Sequence, residues 1–581
     1  MPNMASQLLF LPSLGNALFF FVAILVASYL AYRWALPKPI PGIPYDESAK
    51  NNLLGNLPEI VSMLRTTGKT RPFFGGHSRR HQSALTQVWL GPLQSPSLIL
   101  SDYRETQDIL LRRTREFDRG PRNTSAFEGV APNHHIAMAS ADPRFKLNRE
   151  LVRDLMTPNF LHEVSAPQIY AKSMALIDLW RLKSNMGQSQ PFNARRDIFD
   201  AALDIINSVA FGLEDHHSTV KNQLDHLLAR PGFRPPPNGD GSVSFPELPV
   251  MPDIAAIEAI EIHLGDQFKT PFPQLAHRFQ MLTSPTLRKN FARRDKFLRD
   301  EIDKAVVRLR KGESGTRSAM DHILQREMNA ADKAGREPVF HSPRIHDELF
   351  GYIIAGHDTS STALSWMVKN VADYPEVQAK LRSALRTAYA AAYAEGRQPN
   401  VVELWKTQVP YLDAVLEESL RFNSPISITL REALVDTEIL GHKIRKGTAV
   451  FLVGDGPGYK SPSIPVPESV RSPSSREKKL FYGSWDPSDM HLFKPERWLK
   501  TDEESGNVVY NAQSGPMMAF SLGPRGCFGR RLAYLETRIV LALLVWNFEF
   551  RQLSDKLNSR DSYDTITNNP RQCYVSLGEA P

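Results

Sequence analysis

The residues with the clearest chemical pattern lie near the carboxyl end of the chain, from Phe520 to Gly529. They spell F-x-x-G-x-R-x-C-x-G and place Cys527, one of two cysteines, among glycines with Arg525 two residues before it. A thiol in an apolar core needs no such neighbours. A thiolate that binds iron in a flat cofactor does, because glycines let the backbone approach the cofactor and a cation binds its acidic edge. The pattern therefore predicts an iron-binding thiolate at Cys527.

A second chemical pattern, A-G-H-D-T, begins at Ala355 inside a long predicted helix. The small Ala355 and Gly356 would let the backbone come close to a flat group. The Thr359 hydroxyl can bond the carbonyl four residues earlier and loosen the helix, which opens a niche for a diatomic ligand. Asp358 and Thr359 then supply a carboxylate and a hydroxyl for proton delivery. The alternative is a flexible helix with solvated hydroxyls.

Glu418 and Arg421 are spaced i, i+3 on a predicted helix and face the same side. Alone, such a pair is a surface ion pair that contributes about 0.5 kcal/mol or less. Downstream, the P-E-R-W sequence from Pro495 to Trp498 adds Arg497 just before the cysteine loop. A buried Glu–Arg–Arg network of these three residues would brace that loop.

A basic helix around Arg149 has two open interpretations. It is either a solvated basic face, or Arg149 binds a cofactor carboxylate while its neighbours face an acidic protein partner. The basic face predicted for such a partner consists of Arg144, Lys146, Arg153, Arg530 and Arg531.

Helical periodicity dominates the elements that must position these residues. Short strands are predicted at Thr86–Trp89 and Ser97–Ser101, and strand-like patterning returns at Ile439–Val453. The predicted helices that concern the site are Asp347–Ala372, Glu376–Gly396, Tyr411–Phe422 and Tyr534–Phe548.

The amino-terminal segment Leu8–Tyr32 contains no charged side chain. As a helix, Leu14–Tyr32 spans roughly 28 Å, close to the thickness of a bilayer's hydrocarbon core. Arg33 and Lys38 follow it, so the positive-inside rule places the rest of the chain in the cytosol. A cleaved signal peptide is the alternative, disfavoured by the length of the segment and the lack of a basic start. Four prolines in Pro37–Pro44 predict a stiff connector.

Composition narrows the classes of function. The chain of 581 residues is 42% hydrophobic and 23% charged, as expected of a globular enzyme. Two cysteines exclude a disulfide framework, and a dispersed net charge of +7 argues against a nucleic-acid partner. We predict that the segment Asp455–Ser484 is an exposed insertion. The pairs His134-His135 and His216-His217 lack metal-ligand spacing and companions, and we predict surface or loop positions for both rather than a metal site.

Four motifs follow one another along the chain: A-G-H-D-T, E-x-x-R, P-E-R-W and the cysteine loop. In this order they resemble the motifs of the cytochrome P450 family, and the resemblance covers essentially the whole chain. The anchor and hinge resemble the membrane-anchored microsomal type, and the proline-rich insertions resemble fungal enzymes of secondary metabolism. The resemblance implies a mainly α fold with small β-sheets, a triangular helical haem domain preceded by one transmembrane helix. The expected divisions are a membrane anchor at 1–35, a proline-rich hinge at 36–45 and a haem-thiolate monooxygenase domain at 46–581.

The same resemblance implies a role for each motif residue. Cys527 would be the axial thiolate on the iron of haem b, in a loop completed by Phe520, Gly523 and Gly529. Arg525, Arg149 and Arg431 match positions that pair with haem propionates. Asp358 and Thr359 match the proton relay, and Glu418, Arg421 and Arg497 match the structural triad. The chain departs from the family at Phe145, where tryptophan is usual, which puts one propionate contact in doubt.

The implied activity is insertion of one oxygen atom from O2 into a lipophilic small molecule. Electrons would come from NADPH-cytochrome P450 reductase, with cytochrome b5 as a second donor, because the chain shows no flavin or nicotinamide motif. The expected location is the endoplasmic reticulum membrane, single-pass, with the catalytic domain in the cytosol. Two alternatives stay open: a reductase-independent haem-thiolate isomerase or dehydratase, and a non-catalytic haem-binding sensor.

Overall fold

Helices form most of the chain, which the computed structural model describes at residues 14–213, 215–312, 317–478 and 483–581. The helices are α1 (Leu14–Ala35), α2 (Glu47–Lys50), α3 (Leu57–Thr67), α4 (Arg71–His81), α5 (Tyr103–Leu111), α6 (Pro121–Glu128), α7 (Pro143–Val152), α8 (Pro158–Phe160), α9 (Ala166–Met186), α10 (Arg195–Phe211), α11 (Thr219–Leu228), α12 (Pro252–Gln267), α13 (Pro273–Thr283), α14 (Pro285–Arg310), α15 (Ala319–Ala334), α16 (Pro343–Asp373), α17 (Pro375–Ala388), α18 (Ala390–Ala394), α19 (Val401–Lys406), α20 (Pro410–Phe422), α21 (Pro473–Glu477) and α22 (Arg530–Asn547). The largest apolar core lies among α9, α10, α16 and α22.

Short strands build a small β lobe. The strands are β1 (Leu85–Val88), β2 (Ser97–Leu100), β3 (Phe117–Asp118), β4 (Phe192–Asn193), β5 (Ile428–Ala433), β6 (Thr437–Ile439), β7 (His442–Ile444), β8 (Ala449–Val453), β9 (Leu499–Thr501), β10 (Val508–Tyr510), β11 (Phe548–Phe550), β12 (Ser562–Asp564), β13 (Asn568–Pro570), β14 (Tyr574–Val575) and β15 (Leu577–Glu579). Five of them form one sheet in the order β1-β2-β8-β5-β3, in which only β2 and β8 run parallel. Arg431 of β5 pairs with Val450 of β8 in this sheet. The predicted fold class, mainly α with small sheets, is confirmed.

The central helix α16 begins and ends where its sequence dictates. The Ser342 side chain accepts a hydrogen bond from the N–H of Ile345, and Pro343 occupies the first turn. The helix ends before Pro375, which cannot continue it. The predicted helices at Asp347–Ala372, Tyr411–Phe422 and Tyr534–Phe548 are present as α16, α20 and α22. The single helix predicted over Glu376–Gly396 is wrong, because the chain breaks at Tyr389 into α17 and α18.

Of the described helices, only α1 is long and apolar enough to cross a membrane, and its spanning stretch is not buried against the body. The proline segment after it packs on the sheet. The Gln87 side chain of β1 accepts a hydrogen bond from the N–H of Ile40 at 2.8 Å and donates to the carbonyls of Ile40 and Ile43. Ile43 is buried in the β-lobe core. The connector therefore has a fixed attachment to the body.

The segment Asp455–Ser484 differs from the predicted exposed insertion. Tyr459 is fully buried, and Arg471 is only 8% exposed. Val470 packs against the β-lobe core. The segment is therefore docked on the body at these residues, whereas ten of the seventeen residues from 462 to 478 are exposed, as predicted.

Candidate functional site

One cavity of about 1020 Å³ brings most of the predicted site residues together. The loop before α22 contributes Phe520, Arg525, Cys527 and Gly529 to its wall. α16 contributes the Ala355–Thr359 stretch except for His357, and the cavity wall also includes Arg149 and Arg431. The triad residues do not line the cavity, in keeping with a structural role.

The Cys527 side chain opens into this cavity, which explains why it is exposed although its loop lies deep in the molecule. The Cys527 N–H donates to the carbonyl of Phe520 at 2.8 Å and closes the loop. Burial raises the pKa of the Cys527 thiol, while the Gly529 N–H and nearby Arg530 oppose that rise. The loop thus presents one sulfur ligand, with donors and cations that favour its ionised form.

Two glycines of the loop have different reasons to be glycine. Gly523 has φ +71°, and a Cβ there would overlap the carbonyl oxygen of Leu110 in α5. Gly523 does not line the cavity, so the structure places it against α5 rather than on the predicted cofactor surface. Gly529 does line the cavity, and the space beside it is open. A flat group could approach the backbone there.

Six arginines line the cavity, and four of them lie close to one another or to Cys527: the predicted Arg149, Arg431 and Arg525, together with Arg119. Within the described residues, none of the four forms an ion pair with a carboxylate. Arg119 and Arg525 instead donate to backbone carbonyls at 2.8 Å. Burial, aided by repulsion between neighbouring arginines, lowers the pKa of Arg431 to about 10 and that of Arg119 well below its usual range. Arg119 was missed because an arginine before Gly-Pro carries no distinctive spacing.

This donor set fits the haem that the motifs imply. Buried cations without carboxylate partners are costly unless an anion joins them. The two propionates of a haem would supply that charge, and the Cys527 sulfur would bind its iron. The apolar part of the cavity wall, including Phe520 and Leu532, suits the face of the macrocycle.

Phe145 stands where the family usually has tryptophan. Its ring lies 4.0 Å from the guanidinium of Arg525, and the ring of Phe528 lies 4.5 Å from the guanidinium of Arg149. These cation–π contacts hold two of the four arginines in place. Phe145 therefore orients Arg525, although it has no N–H of its own to donate.

His134 lies in a loop, as one of the two predicted alternatives has it, but neither His134 nor His135 is on the outer surface. His134 is buried, and both histidines line the cavity. Glu348 of α16 accepts from the His135 N–H at 2.8 Å and from the Asn148 amide at 2.7 Å. Burial lowers the pKa of both histidines to about 3, so they add no positive charge to the arginine cluster. In the second pair, His216 is exposed, as predicted.

On α16, Thr359 donates its hydroxyl hydrogen to the carbonyl of Ala355 at 2.8 Å, as predicted. The helix remains α-helical through this point, so the expected loosening does not break it. Gly356 serves helix packing, because a Cβ there would meet the Ile206 side chain of α10 at 2.5 Å. Both residues line the cavity, and Ala355 is the more exposed of the two.

Asp358 is buried beside Thr359 and is held by a residue that the sequence did not single out. The Thr567 hydroxyl, between β12 and β13, donates to Asp358 at 2.7 Å, and the Asn569 amide donates to Thr567 at 2.9 Å. Burial raises the pKa of Asp358, and Thr567 partly offsets that rise. The carboxylate therefore sits in a chain of hydroxyl and amide groups, of which Thr567 also lines the cavity.

The triad predicted from Glu418, Arg421 and Arg497 is assembled in the structure. Arg421 makes two hydrogen bonds to Glu418, at 2.8 and 2.6 Å, and Arg497 makes one at 3.1 Å. The side chains of Glu418 and Arg421 are fully buried. Arg421 also donates to the carbonyls of Tyr459 and Met490, so the network ties together the two sides of the segment between them.

The basic face predicted for a protein partner carries less free charge than the sequence suggests. Arg144 pairs with Asp142 at 2.7 Å, and Arg153 pairs with Glu150 at 2.6 Å. Lys146 is exposed. Local acidic partners thus neutralise two of the five cations.

Comparison with known proteins adds a family and several relatives. A family model described as Cytochrome P450 matches residues 54–461 and 488–577. The chain is 35% identical to the cytochrome P450 monooxygenase TRI13 of Fusarium sporotrichioides, over 96% of this chain and 98% of that protein. It is 34% identical to the cytochrome P450 monooxygenase xilC of Penicillium crustosum, over 97% of each. Its fold is similar to the crystal structure of the cytochrome P450DA heme domain, with a TM-score of 0.64 and 18% identity, over 94% of this chain and 98% of that one.

Proposed function

Because this chain belongs to the cytochrome P450 family and is a monooxygenase of the fungal type, we propose that it inserts one oxygen atom of O2 into a lipophilic secondary metabolite. The observation that carries this proposal is the single cavity in which Cys527, the arginine cluster and the Asp358–Thr359 pair meet. When bound, haem b supplies the iron at which O2 is activated.

The chain's own residues hold the cofactor and move protons. Cys527 would bind the haem iron through its thiolate, and Arg525, Arg149 and Arg431, joined by Arg119, would bind the propionates. Thr359 passes protons from its hydroxyl into the cavity, and Asp358 resupplies them. Glu418, Arg421 and Arg497 keep the cysteine loop in place.

A lipophilic substrate is supported by the entrance to the cavity. α3, which follows the proline hinge after the short helix α2, contributes Leu57, Ile60, Val61 and Leu64 to the wall. Phe272 and Leu275, in and just before α13, line the cavity and are also exposed to solvent. An apolar rim on the side of the membrane anchor suits a substrate that arrives from the lipid phase. We therefore assign 1–35 as the anchor, 36–45 as the hinge and 46–581 as the catalytic domain.

We place the catalytic domain on the cytosolic side of the endoplasmic reticulum, where NADPH-cytochrome P450 reductase and cytochrome b5 can reach it. The exposed Lys146, with Arg530 and Arg531, is the basic surface that suits an acidic electron donor. Lys146→Glu with Arg531→Glu should raise the reductase concentration needed for half-maximal turnover, whereas Lys443→Glu on β7 should not. Equal curves for all variants would exclude this docking face.

The test of the catalytic assignment uses the two cysteines. The reduced full-length protein with carbon monoxide should show the red-shifted Soret band of thiolate ligation. Cys527→Ala should abolish the band, and Cys573→Ala, a matched change at a buried thiol outside the cavity, should keep it. A band retained in Cys527→Ala would refute the ligand assignment.

Turnover should require NADPH and reductase. Spectral titration with lipophilic metabolites identifies the substrate, because a bound substrate displaces water from the iron and shifts its spectrum. Product formed from a peroxide without NADPH would instead identify the reductase-independent isomerase.

A further inference from the structure

Residues 462–487 lie outside the part of the chain that the family model matches. The described portion of this insertion is docked on α5 through Arg471. Arg471 forms a two-pronged ion pair with Asp102, with N–O distances of 2.6 and 2.8 Å. Both side chains are nearly buried. Such a bidentate pair fixes the orientation of both partners.

A second set of contacts joins the insertion to the middle of α5. The hydroxyls of Ser472 and Ser474 donate to the same carboxylate oxygen of Asp108, at 2.6 and 2.7 Å. Asp108 is fully buried. Asp102 also caps α5, since its side chain accepts from the N–H of Glu105 at 2.8 Å. The insertion therefore holds α5 at its amino-terminal cap and at its second turn.

The other end of α5 abuts the cysteine loop. The Leu110 carbonyl oxygen lies so close to Gly523 that a Cβ on that glycine would overlap it. Leu110 and Leu522 also belong to one apolar cluster. A shift of α5 toward the loop would be resisted by direct backbone contact, so the position of α5 sets the position of the turn Gly523–Arg525, two residues before Cys527.

We propose that the insertion at 462–487 positions the Cys527 loop. Arg471, Ser472 and Ser474 of the insertion hold α5, and α5 in turn holds the loop. The proposal rests on the assignment of Cys527 as the iron ligand. If the insertion is only a surface loop, removing its contacts with α5 will leave the environment of the thiolate unchanged. If it positions the Cys527 loop, removing those contacts will change that environment, because the electron density that a thiolate donates depends on the geometry and hydrogen bonds of its loop.

The experiment compares four variants of the full-length, haem-loaded protein. Arg471→Met removes the charge and keeps an aliphatic stem, and Arg471→Lys keeps the charge without the fork. Ser472→Ala with Ser474→Ala removes the two hydroxyl bonds to Asp108, together with the cap that the Ser472 hydroxyl gives to the N–H of Ser475 in α21. Arg476→Met is the matched control, because Arg476 is an exposed residue of α21 in the same segment.

Two measurements separate positioning from general stability: the haem midpoint potential, and the rate at which the red-shifted carbon monoxide band is lost on incubation. We expect Arg471→Met and the double serine variant to lose the band faster, on the order of tenfold, as one buried charge-assisted hydrogen bond is worth about that factor. Both should shift the potential, Arg471→Lys should lie between them and the wild type, and Arg476→Met should match the wild type.

Wild-type potential and band lifetime in both the Arg471→Met and the double serine variants would overturn the proposal. A lower melting temperature without any change in potential would also overturn it, since the segment would then support stability alone. Failure of the underlying function is distinguishable, because it would appear as a wild-type protein with no red-shifted band.

Discussion

Replacement of Glu418 by glutamine is the sharpest test of how the cysteine loop is held. The Glu418 carboxylate accepts from the guanidinium groups of Arg421 and Arg497, from the Lys494 N–H at 2.8 Å and from the indole N–H of Trp498 at 3.0 Å. Glutamine has nearly the same shape but carries no charge, and one of its two terminal atoms is a donor. The change leaves Arg421 fully buried without an anion.

Breaking a buried ion pair by removing one partner costs about 3–5 kcal/mol. That is a large share of the roughly 5–15 kcal/mol by which folded domains are stable. For a catalytic domain of this size the unfolding entropy is about 1.1 kcal/mol per kelvin. The apparent melting temperature should therefore fall by about 3–5 °C.

The assay is thermal unfolding of the detergent-solubilised, haem-loaded protein, followed in parallel with the red-shifted carbon monoxide band. Glu395→Gln is the matched control, because Glu395 pairs with Arg397 at an exposed site, where the pair contributes at most about 1 kcal/mol. The band should be weakened in Glu418→Gln and unchanged in Glu395→Gln. Equal melting temperatures in the two variants would refute the bracing role of the network.

Three further outcomes follow from the cavity. Arg119→Met should weaken haem retention by about tenfold, measured by transfer of haem to an acceptor protein, because it removes one charge-assisted contact; unchanged retention would exclude Arg119 from the site. Thr567→Val should lower the product formed per NADPH and raise peroxide release on the order of tenfold, because Asp358 loses its fixed hydrogen-bond donor. Thr567→Ser should restore both quantities, and an unchanged ratio of product to NADPH in Thr567→Val would contradict this role. Burial raises the pKa of Glu536 to about 8 from its ordinary 4.5. Between these two pH values the folded protein keeps a proton that the unfolded chain releases. The free energy of unfolding therefore falls with rising pH, by up to about 1.4 kcal/mol per pH unit. Glu536→Gln should lower the difference in unfolding free energy between pH 5 and pH 8 by the part that Glu536 contributes, since other buried acids such as Asp200, whose pKa burial raises to about 7, also titrate in this range. An unchanged difference would contradict the prediction.

The long helices could be predicted because their signal is local. α16, α20 and α22 carry apolar residues at helical spacing, and Pro343 and Pro410 mark two of the helix starts. β5 was missed because its partner β8 lies some twenty residues away and Arg431, an inward residue of the strand, is charged. A burial pattern cannot reveal a strand whose inward residue faces a polar ligand site.

The residues of the candidate site likewise include some that a local sequence pattern predicts and some that it does not. Motif spacing predicted Cys527, the triad and Thr359, since each is part of a short, specific pattern. Arg119 was missed because no distinctive spacing marks it, and Thr567 was missed because its role depends on a contact far along the chain. Thr567 reaches Asp358 across 209 positions, and no local pattern records that distance.

The cysteine loop itself shows why a motif predicts a ligand but not its support. Its glycines allow the turn, yet they contribute no side chains that could hold it there. Position comes from outside, from α5 through Leu110 and from the triad through Arg421. Arg421 also bonds the carbonyls of Tyr459 and Met490, which flank the insertion that grips α5. The two supports thus share one buried guanidinium, so the position of Cys527, the proposed iron ligand, is a property of the assembled fold rather than of the loop that carries it.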